Sequence, residues 1–157
     1  MPADQCYFAY GSNLDIERKE ARTGTIRKAI RSRLPNYRFA FNKRAQGAGV
    51  YANILPCFGA EVWGVTYLCD EKAIGELDRY EGVALGHYVH VSVSVITEAE
   101  GKIEALTYVA GKQFVCEEGI PSQDYLKHIL SGARTHQLPD RYIKEIISLS
   151  QQKNLSL

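Results

Sequence analysis

From Tyr88 to Thr97 the chain reads YVHVSVSVIT, with valine at every second position between Val89 and Val95. A period of two puts those valines on one face of an extended strand; a helix, whose faces repeat every 3.6 residues, would scatter them. Such a strand is stable only within a sheet that has one face covered. Other apolar segments can supply that sheet: CYFAYG from Cys6, Thr25 to Leu34, YRFAFNK from Tyr37, VYANIL from Val50, EVWGVTYL from Glu61 and IEALTYV from Ile103. Pro35-Asn36, Pro56, Gly59 and Glu100-Gly101 read as turns between them.

Helical periodicity takes over elsewhere. Asp70 is a good N-cap for a helix that aligns Ala73, Ile74, Leu77 and Tyr80. Ser122 follows Pro121 and caps a second helix with Tyr125, Ile129 and Ala133 on one stripe. A third starts at Pro139 and aligns Tyr142, Ile143, Ile146 and Ile147. Strands first and helices mostly later predict an α+β fold, a mainly antiparallel sheet or small barrel with flanking helices. At 157 residues the chain is one domain, 1–157, long enough to bury about 70% of its unfolded surface, with a polar tail from about residue 151 that should fray.

Composition excludes several functions. A net charge of +1 offers no global field for nucleic acid or a membrane surface. No apolar run approaches the length of a bilayer span. The start, MPADQC, lacks the basic and apolar regions of a signal peptide. Cys6, Cys57, Cys69 and Cys116 are far apart without a close pair, so reduced thiols in a cytoplasmic protein are the simplest expectation. His87 and His90 fall on opposite faces if that segment is a strand, and no metal site is expected.

The most informative charge is Glu81, in LDRYEG. On a helix through Ile74 and Leu77 it continues the apolar stripe, whereas Glu76, Asp78 and Arg79 point elsewhere. Burial and the negative end of the helix dipole both disfavour its anion, so its pKa should rise toward the range of a general base. Alternatively, the helix ends at Tyr80 with Gly82 as its C′ residue, and Glu81 bends out to water.

Gly11-Ser12-Asn13 poses a similar choice. Successive N–H groups there can form a small anion-binding nest for a carboxylate or an oxyanion. The turn can equally be only a strand-to-helix connection, with Ser12 or Asn13 capping IERKEAR. Between Ala21 and Ala60 there is no acid, but there are Arg22, Arg27, Lys28, Arg31, Arg33, Arg38, Lys43 and Arg44. A nucleic-acid surface is one reading; a solvated face balanced by Glu98, Glu100, Glu117 and Glu118 is the simpler one, and its rim can attract a small anion. His128 and His136 have no recognisable partners in the sequence.

Together FAYGSNL, EVWGV, LDRYEG, the Gly-His-Tyr start of the valine strand and PSQDYLKHILSGARTHQLPDRYI resemble the γ-glutamylcyclotransferase family, in order from Tyr7 to about Ile147. The resemblance implies a compact α+β unit with a small mixed, mainly antiparallel β-barrel. It implies conversion of a γ-glutamyl amino acid into 5-oxoproline and the free amino acid, without metal or organic cofactor. It assigns substrate binding to Tyr10, Gly11, Ser12, Asn13 and Leu14, and proton transfer to Glu81. Tyr88 and Tyr108 match pocket-lining positions, and Tyr125 in PSQDY joins them as a candidate.

The implied partner is a small γ-glutamyl dipeptide, with no nucleic acid and no membrane; exposed tyrosines are compatible with a homodimer. Related branches acting on γ-glutamylamines or glutathione look like YGTL or YGSL at the turn, so Asn13 favours dipeptides. A non-catalytic metabolite-binding module would lack the acid at Glu81. The side chains around the leaving amino acid are expected on loops, 45–49 or 113–119.

Overall fold

Val93 and Val95 of the period-two segment do turn inward, at 5% and 0% exposure. In the computed structural model, which describes residues 4–24, 28–45 and 49–151, they belong to strand β4, Tyr88–Thr97. Val89, at the start of the strand, is 40% exposed. There the buried residue is Tyr88, which turns to the other side of the strand, toward the site described below.

Five strands close into a barrel in the order β1-β3-β2-β4-β5. They are β1 Gln5–Ala9, β2 Ala29–Arg44, β3 Val50–Cys69, β4, and β5 Gly101–Ala110. All pairings are antiparallel except the closing one, where β1 meets β5 in parallel at Tyr7 and Leu106. Closure removes the open edges that a sheet would otherwise expose.

Three of the expected turns, Pro35-Asn36, Pro56 and Gly59, lie within strands. Thr25 to Leu34 and Tyr37 to Lys43 fall largely on one strand, β2, and Val50 to Leu55 and Glu61 to Leu68 on one strand, β3; positions 25–27 lie outside the described residues. The register jumps from Pro35 opposite Glu61 to Tyr37 opposite Pro56, so Asn36 faces the extra residues 57–60 as a bulge. Asn36 takes φ 65° and Gly59 φ 85°. The Asn36 Oδ1 accepts the Gly59 N–H at 3.1 Å, which satisfies the bulge locally and bends the strands without ending them.

Among the described residues four α-helices accompany the barrel: α1 Ile16–Thr23, α2 Glu71–Tyr80, α3 Gln123–Thr135 and α4 Asp140–Leu149. Asp70 caps α2 through the Ala73 N–H, and Ser122 caps α3 through the Tyr125 N–H, as expected. Leu77 of α2, Ile129 of α3 and Ile146 of α4 reach one core with Phe8, Val65 and Tyr67. The cap of α1 is Asp15, which accepts from the Glu17 and Arg18 N–H groups, and not Ser12 or Asn13. Ser12–Leu14 form a separate 3₁₀ turn instead, which releases both side chains from capping. None of the four cysteines is in a disulfide.

Candidate active site

The 3₁₀ turn carries the YGSN segment over the end of β1. The Leu14 N–H bonds to the Gly11 carbonyl at 3.0 Å and the Asp15 N–H to the Ser12 carbonyl at 3.2 Å. In such a turn the N–H groups of Ser12 and Asn13 have no internal acceptor. Its other groups are tied from outside. Tyr67 donates its hydroxyl to the Asn13 carbonyl at 2.7 Å, and His136 Nε2 donates to the Leu14 carbonyl at 3.0 Å. His128 Nδ1 lies 2.7 Å from Asp15 Oδ2. The two histidines with no legible partner thus pin the turn to α3.

Glu81 takes the helix end of one alternative and the burial of the other, and does not bend out to water. Helix α2 does stop there: the Glu81 N–H closes onto Leu77, and Gly82 adopts the left-handed conformation at φ 64°. Yet the side chain turns inward and is only 15% exposed. The Asn13 Nδ2 donates to Glu81 Oε1 at 3.3 Å and to the Tyr7 hydroxyl at 2.9 Å. Asn13 Oδ1 accepts from Arg22 Nη1 at 3.0 Å, and that guanidinium stands 3.7 Å from Glu81. Burial pushes the Glu81 carboxyl above its ordinary value; Arg22, the Asn13 bond, Arg18 and Lys43 pull it down without cancelling the effect.

A cavity of about 40 Å³ lies between the turn and the acid, bounded by Gly11, Ser12, Asn13 and Glu81. Tyr10, Tyr88, Tyr108 and Tyr125 complete its wall with Tyr7, Ala52 and Thr107. Three of the hydroxyls are held by the backbone. Tyr10 donates to the Tyr108 carbonyl at 2.6 Å, Tyr88 donates to the Ala52 carbonyl at 2.8 Å, and Tyr125 accepts the Ala52 N–H at 3.0 Å. The Tyr108 hydroxyl donates to Asp78 at 2.6 Å, so Asp78 is engaged rather than merely facing water. Burial raises the phenols of Tyr7, Tyr10, Tyr88, Tyr108 and Tyr125 and keeps them neutral.

Leu14 alone among the expected site residues does not line this space. It is 1% exposed, packed in the core, and its backbone meets α3 at Gly132. A leucine is suited to that place because it anchors the turn by burial and leaves recognition to its neighbours.

An outer cavity of about 310 Å³ shares Ser12, Glu81, Tyr88 and Tyr125 with the inner one. It adds four cations, Arg18, Arg22, Lys43 and Arg79, with Tyr51 and His87. The acid-free stretch is therefore not one face. Lys28, Arg31, Arg33 and Arg38 pair with Glu100, Glu98, Glu61 and Glu118 on the exterior, whereas Arg22 and Lys43 turn to the cavity. Arg22 was legible only as one cation of that run. Of the loops expected around a leaving amino acid, 46–48 lie outside the described residues, and strand-end residues Lys43 and Tyr51 line the cavity beside His87.

A larger groove, about 550 Å³, runs along α4. Its Glu61 and Arg38 are already paired with Arg33 and Glu118, and its other acid, Glu145, is exposed, unlike Glu81. Among the described residues no group of three or more histidine, cysteine, aspartate or glutamate side chains is disposed to hold a metal ion. No helix among them is long and apolar enough to cross a membrane.

The model of the AIG2-like family matches residues 61–146, a span that includes Glu81, Tyr88, Tyr108 and Tyr125. The chain is 35% identical over 150 residues to the γ-glutamylcyclotransferase of Bos taurus, covering 91% of this chain and 77% of that one. It is 34% identical to the Homo sapiens γ-glutamylcyclotransferase, covering 89% and 76%. A solved structure described as a γ-glutamyl cyclotransferase superposes with a TM-score of 0.85 at 29% identity, covering 98% of this chain and 92% of that one.

Proposed function

The chain belongs to the AIG2-like, γ-glutamylcyclotransferase family, and we propose that Glu81 and the Gly11–Asn13 turn carry its reaction. It is a cyclotransferase: a γ-glutamyl amino acid closes to 5-oxoproline and the second amino acid leaves. The observation that carries the assignment of roles is a buried carboxyl joined by Asn13 to an N–H-lined turn across one small cavity.

The substrate's α-amine is the nucleophile and its own γ-carbonyl carbon the target. At neutral pH that amine is mostly an ammonium ion, so it must first lose a proton. Glu81 accepts it, helped by the burial that raises its affinity for protons. The freed lone pair attacks, and the carbonyl oxygen becomes an oxyanion facing the Ser12 and Asn13 N–H groups. The tetrahedral centre collapses, the bond to the leaving nitrogen breaks, and Glu81 returns its proton there. The second proton shed by the ring nitrogen balances the one that makes the released amine an ammonium ion. Holding the glutamyl chain folded supplies up to ~7–11 kcal/mol through proximity alone.

Asn13 has a structural reason to be an asparagine. Its amide bridges Arg22, Tyr7 and Glu81 at once, and a leucine in its place would leave all three without that link. The substrate is a small γ-glutamyl compound, and the proposal sets its cleavage in the cytoplasm, where cysteines without disulfides are the rule. Release of 5-oxoproline from γ-glutamyl-alanine tests the activity. Glu81→Gln should abolish that release while the protein still binds 5-oxoproline; a variant that keeps most of its kcat would remove Glu81 as the base.

A further inference from the structure

Lys43 acts on Glu81 through its field, yet among the described residues it makes no hydrogen bond or ion pair with that acid or with the turn. It ends β2 but is 2% exposed. Its Nζ donates to the Arg44 carbonyl at 2.8 Å and lies 2.8 Å from His87 Nδ1, which the ammonium makes an acceptor. The rings of Tyr51, Tyr88 and Phe114 surround it at 5.6, 5.3 and 4.8 Å. Among the described residues it has no carboxylate within ion-pair distance. An ammonium has three donors, and those two acceptors leave one over. It feels the Glu81 carboxylate only through space, and a buried ammonium with a spare donor is costly until an anion completes it.

Two of the other three cations of the outer cavity are occupied: Arg22 holds Asn13 and Glu81, and Arg79 holds Glu76. Arg18 lies in the fields of Asp15 and Glu81, but its buried Nε has no hydrogen-bond partner among the described residues, which makes it the rival to Lys43. Lys43 stands beside Tyr88, which with Tyr125 bounds both the inner and the outer cavity. A γ-glutamyl group whose carbonyl met the turn in the inner cavity would have its leaving nitrogen toward the outer one, since the two share Ser12, Glu81, Tyr88 and Tyr125. In a dipeptide the next carboxylate is one carbon away from that nitrogen, just past the boundary that Tyr88 marks. Because the lysine stem is already packed, ordering it costs the complex little.

We propose that Lys43 binds the α-carboxylate of the leaving amino acid, and so selects γ-glutamyl amino acids over γ-glutamylamines that lack this group. The inference rests on the reading of the site given above. It deepens that reading by assigning the second half of the substrate.

The experiment compares γ-glutamyl-alanine with γ-glutamyl-ethylamine, which differs only by the missing carboxylate. The wild type should prefer the alanine compound by about 10–100-fold in kcat/KM, the range of one charge-assisted hydrogen bond. In Lys43→Met the preference should collapse toward unity, mainly through a higher KM for the alanine compound. Lys43→Arg, which keeps the charge, should retain more of it. A wild type indifferent to the carboxylate would overturn the assignment without any variant. So would a preference that survives Lys43→Met or is erased by Arg18→Met instead. Failure to form 5-oxoproline from either compound is a separate result, and it would refute the cyclotransferase reading beneath.

Discussion

Gly132 sits in the middle of α3, where alanine would ordinarily be the better residue by about 1 kcal/mol. Here a Cβ would lie 2.2 Å from the Leu14 carbonyl carbon and 2.4 Å from its oxygen. Ordinary contact begins at 3.4 Å, so backbone must separate from backbone by about 1.2 Å. What moves is the turn whose Asn13 orients Glu81, and a displacement near 1 Å in a catalytic constellation costs on the order of 100-fold. Gly132→Ala should therefore lower kcat/KM for γ-glutamyl-alanine by about that factor. It should also lose about 1–3 kcal/mol in urea unfolding through overpacking. Gly75→Ala, in α2 with nothing within 4 Å of its new Cβ, is the control and should gain up to ~1 kcal/mol with unaltered activity. A Gly132→Ala protein that is fully active and more stable, like the control, would refute the claim that α3 sets the turn's position.

Two further outcomes follow from the electrostatics of Glu81. Its folded pKa is raised, so the folded state holds the proton more tightly than the unfolded chain; the stability this contributes is complete below the unfolded pKa and is lost as pH rises through the folded one. Glu81→Gln should consequently unfold at a higher temperature than wild type at neutral pH, with the gain shrinking toward acid; equal stability at all pH values would contradict the burial argument. Arg22 pulls the same carboxyl down, so Arg22→Met should move the acid limb of the kcat/KM profile to higher pH, and an unmoved limb would deny their coupling.

The period-two valines already required a sheet, and the Asp70 and Ser122 caps already marked where α2 and α3 begin, because these signals are local. The ends of the strands were less legible. Pro35-Asn36 and Gly59 read as turns, but each is a turn only if its flanking strands do not pair across it, and that depends on a partner distant in sequence. Burial of Glu81 was half-legible. The stripe through Ile74 and Leu77 pointed it inward and Gly82 pointed to a helix end, and both proved true of one residue.

The residue types suited to the chemistry were thus written in the chain: an acid on an apolar stripe, a small-residue turn after a strand, and tyrosines on the strands and helix that follow. Tertiary structure alone decided what they meet. Asn13 reaches Glu81 across 68 positions, and Lys43 reaches His87 across 44. Arg22 and Arg38 look alike in sequence, yet one guanidinium serves the cavity and the other pairs with Glu118 outside. Local pattern records how a residue's own segment behaves, whereas the pKa and use of a charge depend on what barrel closure and helix packing bring against it.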